Sequence, residues 1–150
     1  MKVGISSKAL HVAATASEEI DALAAAAYPH EACGVLIGRA SDASIQVERI
    51  AACRNLAGDR QADRYVLDPD DFNRADDAAR HDGLDIVGIW HTHPDHPAQP
   101  SPTDLATAWP HYAYLIVSVT AAGAAEHRTW QLIDKRFIEL EIKEPETCPT

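Results

Sequence analysis

The sequence predicts an α+β domain (α/β-type) built around a mixed sheet, and three observations lead to this fold class. Helix signals alternate with apolar, strand-like runs over most of the chain, whereas two short strand-like runs follow one another near its end. Alternating helices and strands favour parallel pairing, and consecutive strands joined by tight turns favour antiparallel pairing. With 150 residues, 46% of them hydrophobic, the chain is long enough to bury a core of its own. We therefore expect residues 1–150 to form one domain.

The first part of the chain predicts a helix followed by a hairpin. SEEIDALAAAAYP is typical of a helix that Ser17 caps, that acidic residues stabilise in its first turn and that Pro29 ends. EACGVLIG (31–38) is an apolar run bounded by glycine and predicts a strand. IQVERIAA (45–52) alternates polar and apolar residues and predicts its partner across the ASDAS turn. NLAGDRQADR, which follows, predicts a loop.

The second part predicts two more helices and four strands. DPDDFNRADDAARHDG has helix signals at both ends, because Asp68 and Pro69 can open it and Gly83 can close it. LDIVGIWH (84–91) is a continuous apolar run and predicts a buried strand. SPTDLATAW predicts a short helix, and AYLIVSVT (113–120), HRTWQLI and RFIELEI predict closing strands. The terminal EPETCPT is expected to be a frayed tail.

Charge, cysteine usage and hydropathy exclude several classes of protein. A net charge of −10 without any basic block argues against a nucleic-acid partner. Cys33, Cys53 and Cys148 are too widely spaced for a CxxC pair and odd in number, which favours a reducing, cytoplasmic location. No run approaches the roughly 18 apolar residues of a membrane span. The start, MKVGISSKALHVAATAS, is rejected as a secretory signal because its apolar part is short and His11 interrupts it.

The segment HTHPDHPAQPSPTD begins where the buried strand ends. His91 and His93 are two residues apart on an extended chain, so their side chains share a face and can lean toward one ion, while Trp90 faces the core. The alternative is a pair of solvated loop histidines. With eight histidines in the chain, an HxH pair is weak evidence of a metal site when it stands alone.

The end of the same segment is a helix N-terminus. Ser101 suits the N-cap, a proline follows at N1, and Asp104 lies at N3, so helix formation alone explains the pattern. The same geometry holds the carboxylate of Asp104 in the first turn, where the helix dipole favours its ionised form. Two histidines and one aspartate would leave a fourth tetrahedral position for water, as in catalytic zinc sites. A proton acceptor is also needed; Glu31 is a candidate, although strand patterning alone favours a solvent-facing residue there.

The order HxH, seven residues, then SxxD matches the JAMM signature of the Mov34/MPN/PAD-1 metalloprotease family, which this chain resembles. YPHEACGVLIG is similar to the first conserved block of that family, in which a glutamate precedes a strand rich in small residues. DPDDF and GLDIVGIWHTHP lie where its second helix and metal-bearing strand are expected. The likeness covers most of the chain. It implies an MPN/JAB1-like, cytidine-deaminase-like sheet flanked by helices.

The resemblance implies a role for each matched residue. His91, His93 and Asp104 would bind one catalytic Zn²⁺, Glu31 would act as general base and acid, and Ser101 would donate a hydrogen bond to the oxyanion. Short connections around the motif resemble the stand-alone prokaryotic branch. The implied substrate is a ubiquitin-like or sulfur-carrier protein, cut after its C-terminal Gly-Gly. Two hypotheses accompany this: the tail binds as an added strand at a sheet edge, and an exposed edge permits a homodimer.

Three alternatives come from other classes. A non-catalytic MPN-type scaffold would have lost ligands that are all present here. A DNA-associated relative resembling the RadC group would carry asparagine where this chain has Thr92. The net charge of −10 also disfavours this alternative, because an acidic protein repels DNA. A zinc deaminase would need HxE and PCxxC elements, which are absent. Sequence alone assigns no role to Cys33, His30, His96 or His111.

Overall fold

A computed structural model of the protein describes residues 8–143. The tail predicted to fray, residues 144–150, lies outside this range. The described part contains, in chain order, these strands and helices: β1 (Ala9–Val12), α1 (Ala14–Ala27), β2 (Cys33–Ala40), β3 (Ser44–Cys53), α2 (Pro69–His81), β4 (Asp85–Pro94), α3 (Pro102–Thr107), β5 (Ala113–Thr120), β6 (Gly123–Ile133) and β7 (Arg136–Lys143). A 3₁₀ turn, Gly58–Arg60, interrupts the loop before α2.

The seven described strands form one mixed sheet in the order β1-β3-β2-β4-β5-β6-β7. β1 pairs in parallel with both β3 and β7, β4 pairs in parallel with β5, and the remaining neighbours are antiparallel. The mixed sheet with helices confirms the α+β prediction. The closure of the sheet into a barrel was not predicted. It depends on β1, whose four residues are too few to carry a periodic signal and whose partners are distant in sequence.

Barrel closure changes the two hypotheses that depended on a free sheet edge. Every described strand has a neighbour on both sides, so no strand of this part of the chain presents a fully open edge. Because β1 pairs with β3 only at Ser44–Val47 and with β7 only at Glu141–Lys143, the rest of β3 and of β7 has no strand partner on that side within the described residues. Strand addition along these stretches and a homodimer both stay predictions.

Helix α1 begins at Ala14, four residues earlier than a cap at Ser17 predicts, and its N-cap Ala13 makes no side-chain capping bond. Ser17 is therefore inside the helix, where its backbone N–H donates to the carbonyl of Ala13 at 3.1 Å. The prediction of Ser17 as the cap was wrong because tertiary structure sets the start. The backbone N–H of Ala13 bonds to the carbonyl of Val47 at 3.0 Å, so the sheet holds the chain where the helix begins.

Both ends of helix α2 follow its sequence signals. The side chain of Asp68 accepts a hydrogen bond from the backbone N–H of Asp70 at 2.9 Å, and Pro69 is the first helical residue. Beyond the last turn, Gly83 adopts a φ of 73°, a left-handed conformation in which glycine is the least strained residue. These signals are local, and no tertiary contact overrides them.

The core lies on both faces of the sheet. Helix α1 packs against β3 and against the neighbouring pair β5 and β6, which β2 and β4 separate from β3 in the strand order, so the sheet curls around this helix. The larger cluster, on the α1 side, includes Ile20, Leu36, Trp90 and Leu115. The smaller cluster, on the α2 side, includes Val35, Ile37, Ala75, Ala79 and Ile86. Burial on both faces explains why the runs of β2 and β4 are continuously apolar.

The helices of the described part have at most 14 residues. Within residues 8–143, none of them is both long and apolar enough to cross a bilayer.

We expect Gly34→Ala to destabilise the protein by about 3 kcal/mol. A Cβ at this position would lie 2.0 Å from the carbonyl oxygen of Ala51 and 2.5 Å from the indole nitrogen of Trp90. A backbone atom cannot move aside as a flexible side chain can. Gly58→Ala is the matched control: nothing lies within 4 Å of its Cβ, and only its φ of 63° opposes the change, at about 1 kcal/mol. Urea unfolding measures the free energy of unfolding of both variants, and an equal decrease in the two would contradict the prediction.

Candidate active site

His91 and His93 lie on one face of β4, with their ring centroids 5.0 Å apart. The strand continues to Pro94, beyond the predicted end at His91, because parallel pairing with β5 extends past the histidines and places His93 opposite Ser118. Both rings are buried, with exposures of 0% and 8%. The alternative of two solvated loop histidines is therefore wrong.

Asp104 completes a triangle of donor atoms with the two histidines. Its Oδ2 lies 3.3 Å from Nε2 of His91 and 3.2 Å from Nε2 of His93, and the two Nε2 atoms are 3.1 Å apart. Ligands that each lie about 2.0–2.1 Å from a tetrahedral ion are about 3.3–3.4 Å from one another. The three side chains therefore fit one ion such as zinc.

The hydrogen bond on the far side of His93 determines which of its nitrogens faces this triangle. Its Nδ1 lies 2.9 Å from the carbonyl oxygen of Pro97, which can only accept, so Nδ1 carries the hydrogen. An ion in the triangle would receive the lone pair of Nε2 from the neutral ring. Without an ion, the distance of 3.2 Å between Nε2 of His93 and Oδ2 of Asp104 suits a hydrogen bond that Nε2–H donates to the carboxylate.

Helix α3 holds the carboxylate of Asp104 in place. The hydroxyl of Ser101 accepts from the backbone N–H of Asp104 at 3.0 Å, and Oδ2 of Asp104 accepts from the backbone N–H of Ser101 at 2.8 Å. This is the predicted capping box. Burial acts to raise the pKa of Asp104, but hydrogen bonds from His91, His93 and Ser101 outweigh it and hold the pKa well below its usual range. Asp104 therefore stays ionised.

Glu31 lies just before β2 and beside the two histidines. One of its carboxylate oxygens and one ring nitrogen each of His91 and His93 all lie within 4.8 Å of one another. The residue is only 6% exposed, so the solvent-facing interpretation favoured by strand patterning is wrong. Burial raises the pKa of Glu31 to about 7, where a carboxyl group can both take and release a proton near neutral pH.

Thr92 is a site residue that sequence reasoning set aside because it faces away from the histidines. Its hydroxyl accepts from the backbone N–H of Ala32 at 2.8 Å, and its own N–H donates to the carbonyl of Ala32 at 3.0 Å. These bonds join the strand that carries the histidines to the segment that carries Glu31. A hydroxyl-bearing residue between the two histidines was the available signal.

Tyr65 was also missed, because it follows a segment that predicted only a loop. Its ring stacks on that of His91, with centroids 4.3 Å apart and planes 23° from parallel. The ring nitrogen Nδ1 of His91 is buried and has no hydrogen-bond partner within residues 8–143. Packing against Tyr65 therefore holds this imidazole, together with the contact between its Nε2 and Asp104, without a hydrogen bond at Nδ1.

The residues to which the sequence assigned no role lie mostly outside the triangle. His30, His96 and His111 are exposed, and none of them belongs to the group of potential ligands. Cys33 is buried, and its thiol faces the carbonyl oxygen of Cys53 at 3.6 Å. Burial raises the pKa of the Cys33 thiol to about 12, as is typical of an unreactive cysteine.

Two cavities flank the triangle. The smaller one, of about 340 Å³, opens beside Glu31 and His93 and is also lined by Asp63, His96, Pro97, Gln99, Pro100 and Ser101. The larger one, of about 710 Å³, lies on the other side of Tyr65 and is mainly apolar; its walls include Val66, Phe72, Trp109 and Tyr114. The potential ligands are therefore accessible from the surface through the smaller cavity.

A family model describing prokaryotic homologues of the JAB domain matches residues 13–133, which is most of the chain. The chain therefore belongs to the prokaryotic JAB family, as the JAMM signature predicted. A solution structure of a protein from Desulfitobacterium hafniense has the same fold, with a TM-score of 0.79 and 31% identity. That match covers 92% of this chain and 94% of the other.

Three curated relatives match shorter parts of the chain. The Desampylase of Haloferax volcanii is 39% identical over 95 residues, 60% of this chain and 63% of that protein. Tail tip assembly protein K of Escherichia phage N15 is 39% identical over 89 residues, 59% and 32% of the two chains. A "probable TtuB-protein conjugate cleaving protease" of Thermus thermophilus is 31% identical over 96 residues, 64% and 61%. The chain thus spans less than two thirds of each relative.

We expect Thr92→Val to cost about 1–3 kcal/mol of unfolding free energy, because it removes the acceptor for the N–H of Ala32. Thr129→Val is the matched control. The Thr129 hydroxyl is fully buried and has no partner within the described residues, so its loss should be neutral or stabilising. Urea unfolding of both variants gives the comparison, and a neutral Thr92→Val would contradict the assigned hydrogen bond.

Proposed function

We propose that the chain is a zinc-dependent metallopeptidase of the isopeptidase kind, which hydrolyses the bond after the C-terminal Gly-Gly of a ubiquitin-like or sulfur-carrier protein. The observation that carries this proposal is the triangle of His91, His93 and Asp104, with donor atoms 3.1–3.3 Å apart and the buried carboxyl group of Glu31 beside it. A non-catalytic scaffold would have no need to bury these four groups together, since their desolvation opposes folding.

His91, His93 and Asp104 would hold the ion. Zinc supplies Lewis-acid activation of water and of the scissile carbonyl. Both roles suit a site with three protein ligands and one open position.

Glu31 and Ser101 would perform the remaining steps. Glu31, with its pKa near 7, takes a proton from the attacking water and returns one to the departing amine. The capping bond occupies an acceptor position on the hydroxyl of Ser101 and leaves its hydrogen free to donate to the developing oxyanion. Ser101 lines the smaller cavity together with Glu31 and His93, which suits a group that contacts the substrate.

The names of the relatives support the substrate class. One is named Desampylase and another is named for cleaving a conjugate between TtuB and a protein, whereas the third is named for tail tip assembly. Two of the three names therefore describe release from, or processing of, a modified protein. The Gly-Gly specificity follows from the family resemblance and needs its own test.

We expect Glu31→Gln to keep its zinc and lose at least about a thousandfold in kcat, because it removes the proton acceptor but no ligand. His91→Ala should lose both zinc and activity, and chelation should abolish turnover until zinc is restored. His81→Ala, which changes an exposed histidine of α2, is the control. Bound zinc is measured by mass spectrometry and cleavage by gel or mass shift. Full activity of Glu31→Gln would remove the residue from the mechanism.

We expect cleavage to depend on the terminal diglycine of the carrier. A carrier protein with a C-terminal extension after Gly-Gly should be trimmed, and the same protein with Ala-Ala should be cut at least about a hundredfold more slowly, because added methyl groups obstruct a narrow site. The measurement is mass spectrometry of the product termini. Equal rates for the two carriers would refute the diglycine specificity but leave the hydrolase proposal intact.

A further inference from the structure

The segment between β3 and α2, residues 54–67, is more ordered than the predicted loop. Its start is attached to helix α2, because the guanidinium of Arg54 lies 2.7 Å from Asp68 and 3.4 Å from Asp71. A single bridge between Asn55 and Leu67 joins its two ends. The segment, which we call the connector, therefore starts and finishes at fixed points beside the active site.

The connector holds the peptide of Glu31 from both sides. The backbone N–H of Glu31 donates to the carbonyl oxygen of Gln61 at 2.5 Å, and the carbonyl oxygen of Glu31 accepts from the side-chain amide of Asn55 at 3.0 Å. Glu31 lies outside the regular part of β2, so no sheet ladder supplies these bonds. The connector supplies them instead.

The carboxamide of Asn55 uses its full hydrogen-bonding capacity. Its Nδ2 donates to the carbonyl oxygens of Glu31 and Arg64 at 3.0 and 3.1 Å. Its Oδ1 accepts from the backbone N–H groups of Ala57 and Val66 at 3.0 and 2.9 Å. Two donors and two acceptor positions are all that an asparagine side chain has, so one residue joins both arms of the connector to Glu31.

Gln61 closes the same network. Its Nε2 donates to the carbonyl oxygen of Asn55 at 2.8 Å, and its Oε1 lies 3.0 Å from Nδ1 of His30, the residue before Glu31. The turn that binds the N–H of Glu31 is thus fastened to Asn55, which binds the carbonyl oxygen. A shift of either residue would therefore move the peptide of Glu31.

We propose that Asn55 is a positioning residue, assisted by Gln61, that sets the place of the Glu31 carboxyl group relative to the histidines. This inference rests on the proposed function, in which Glu31 is the general base. Asn55 itself touches neither the ligand triangle nor the smaller cavity. Its influence on the reaction is exerted through the backbone of Glu31, where small displacements of a reacting group have large effects on rate.

The test compares Asn55→Leu with Gln46→Leu in the zinc-loaded protein. Asn55→Leu removes all four hydrogen bonds without adding a charge. Within residues 8–143, the side chain of Gln46 bonds only to the hydroxyl of Ser44, at the opposite end of β3 from Cys53. We expect Asn55→Leu to lower kcat about ten- to a hundredfold while KM and bound zinc change by less than about threefold. Gln46→Leu should change none of these.

Amide hydrogen exchange gives a readout independent of turnover. Asn55→Leu should speed the exchange of the Glu31 amide at least about tenfold, because the bond to Gln61 opens more often. If Asn55→Leu does not fold, Gln61→Ala replaces it, because this variant keeps the carboxamide of Asn55. Gln61→Ala should also lower kcat and speed the exchange of the Glu31 amide, both by a smaller factor. Folded, zinc-bound variants with the wild-type kcat or the wild-type Glu31 exchange would overturn the proposal.

The outcomes also separate this inference from the proposed function. If the wild-type protein cleaves no conjugate but Asn55→Leu still accelerates Glu31 exchange, the hydrolase proposal fails and the attachment of Glu31 to Asn55 is supported. If the wild-type protein cleaves and Asn55→Leu cleaves equally well, the hydrolase proposal stands and the positioning role of Asn55 is overturned.

Discussion

The site depends on the alternation of side chains along β4. This strand lies between antiparallel β2 and parallel β5, so hydrogen bonds on both sides fix its register. His91 and His93 therefore face the ligand triangle, and Thr92 faces the segment that carries Glu31. A slip of one residue would exchange these faces and bury the threonine where the ligands belong. A single strand register thus determines both the potential ligand pair and the approach of the candidate base.

The third ligand depends on a different kind of structure. Helix α3 has six residues, too few to be stable by propagation alone, so its N-terminal bonds matter more than its propensity. Ser101 and Asp104 satisfy each other's backbone N–H groups, and Asp104 also faces both imidazoles. The helix is thereby anchored at the end where its carboxylate is needed. Just beyond its other end, the backbone N–H of Trp109 donates to the hydroxyl of Tyr114 at 2.7 Å.

The parts of the fold that the sequence predicted are those decided locally. The cap of α2 at Asp68, the capping box at Ser101 and the apolar runs of β2 and β4 all come from neighbouring residues. The start of α1 and the existence of β1 were missed because distant strands decide them. For the same reason, the spacing of His91, His93 and Asp104 could be read from one segment, but the burial of Glu31 could not.

The residues that support Glu31 could not be predicted from local sequence patterns. Asn55 lies in a stretch rich in polar residues, which in sequence is indistinguishable from a solvated turn. Its four hydrogen bonds reach residues 2 to 24 positions away, and no short-range pattern records such a set. The antiparallel pairing of β2 with β3 brings the end of β3 next to the start of β2, and this places Asn55 beside Glu31.

The capping box has a consequence for how the protein would acquire its metal. Hydrogen bonds within the polypeptide hold Asp104 at the head of α3, Pro97 orients His93, and Tyr65 packs on His91. The three donors are thus preorganised by the fold itself, unlike those of small zinc fingers, in which the ion drives folding. Under the proposed function, zinc would then bind reversibly to a site whose donors the fold already holds in place.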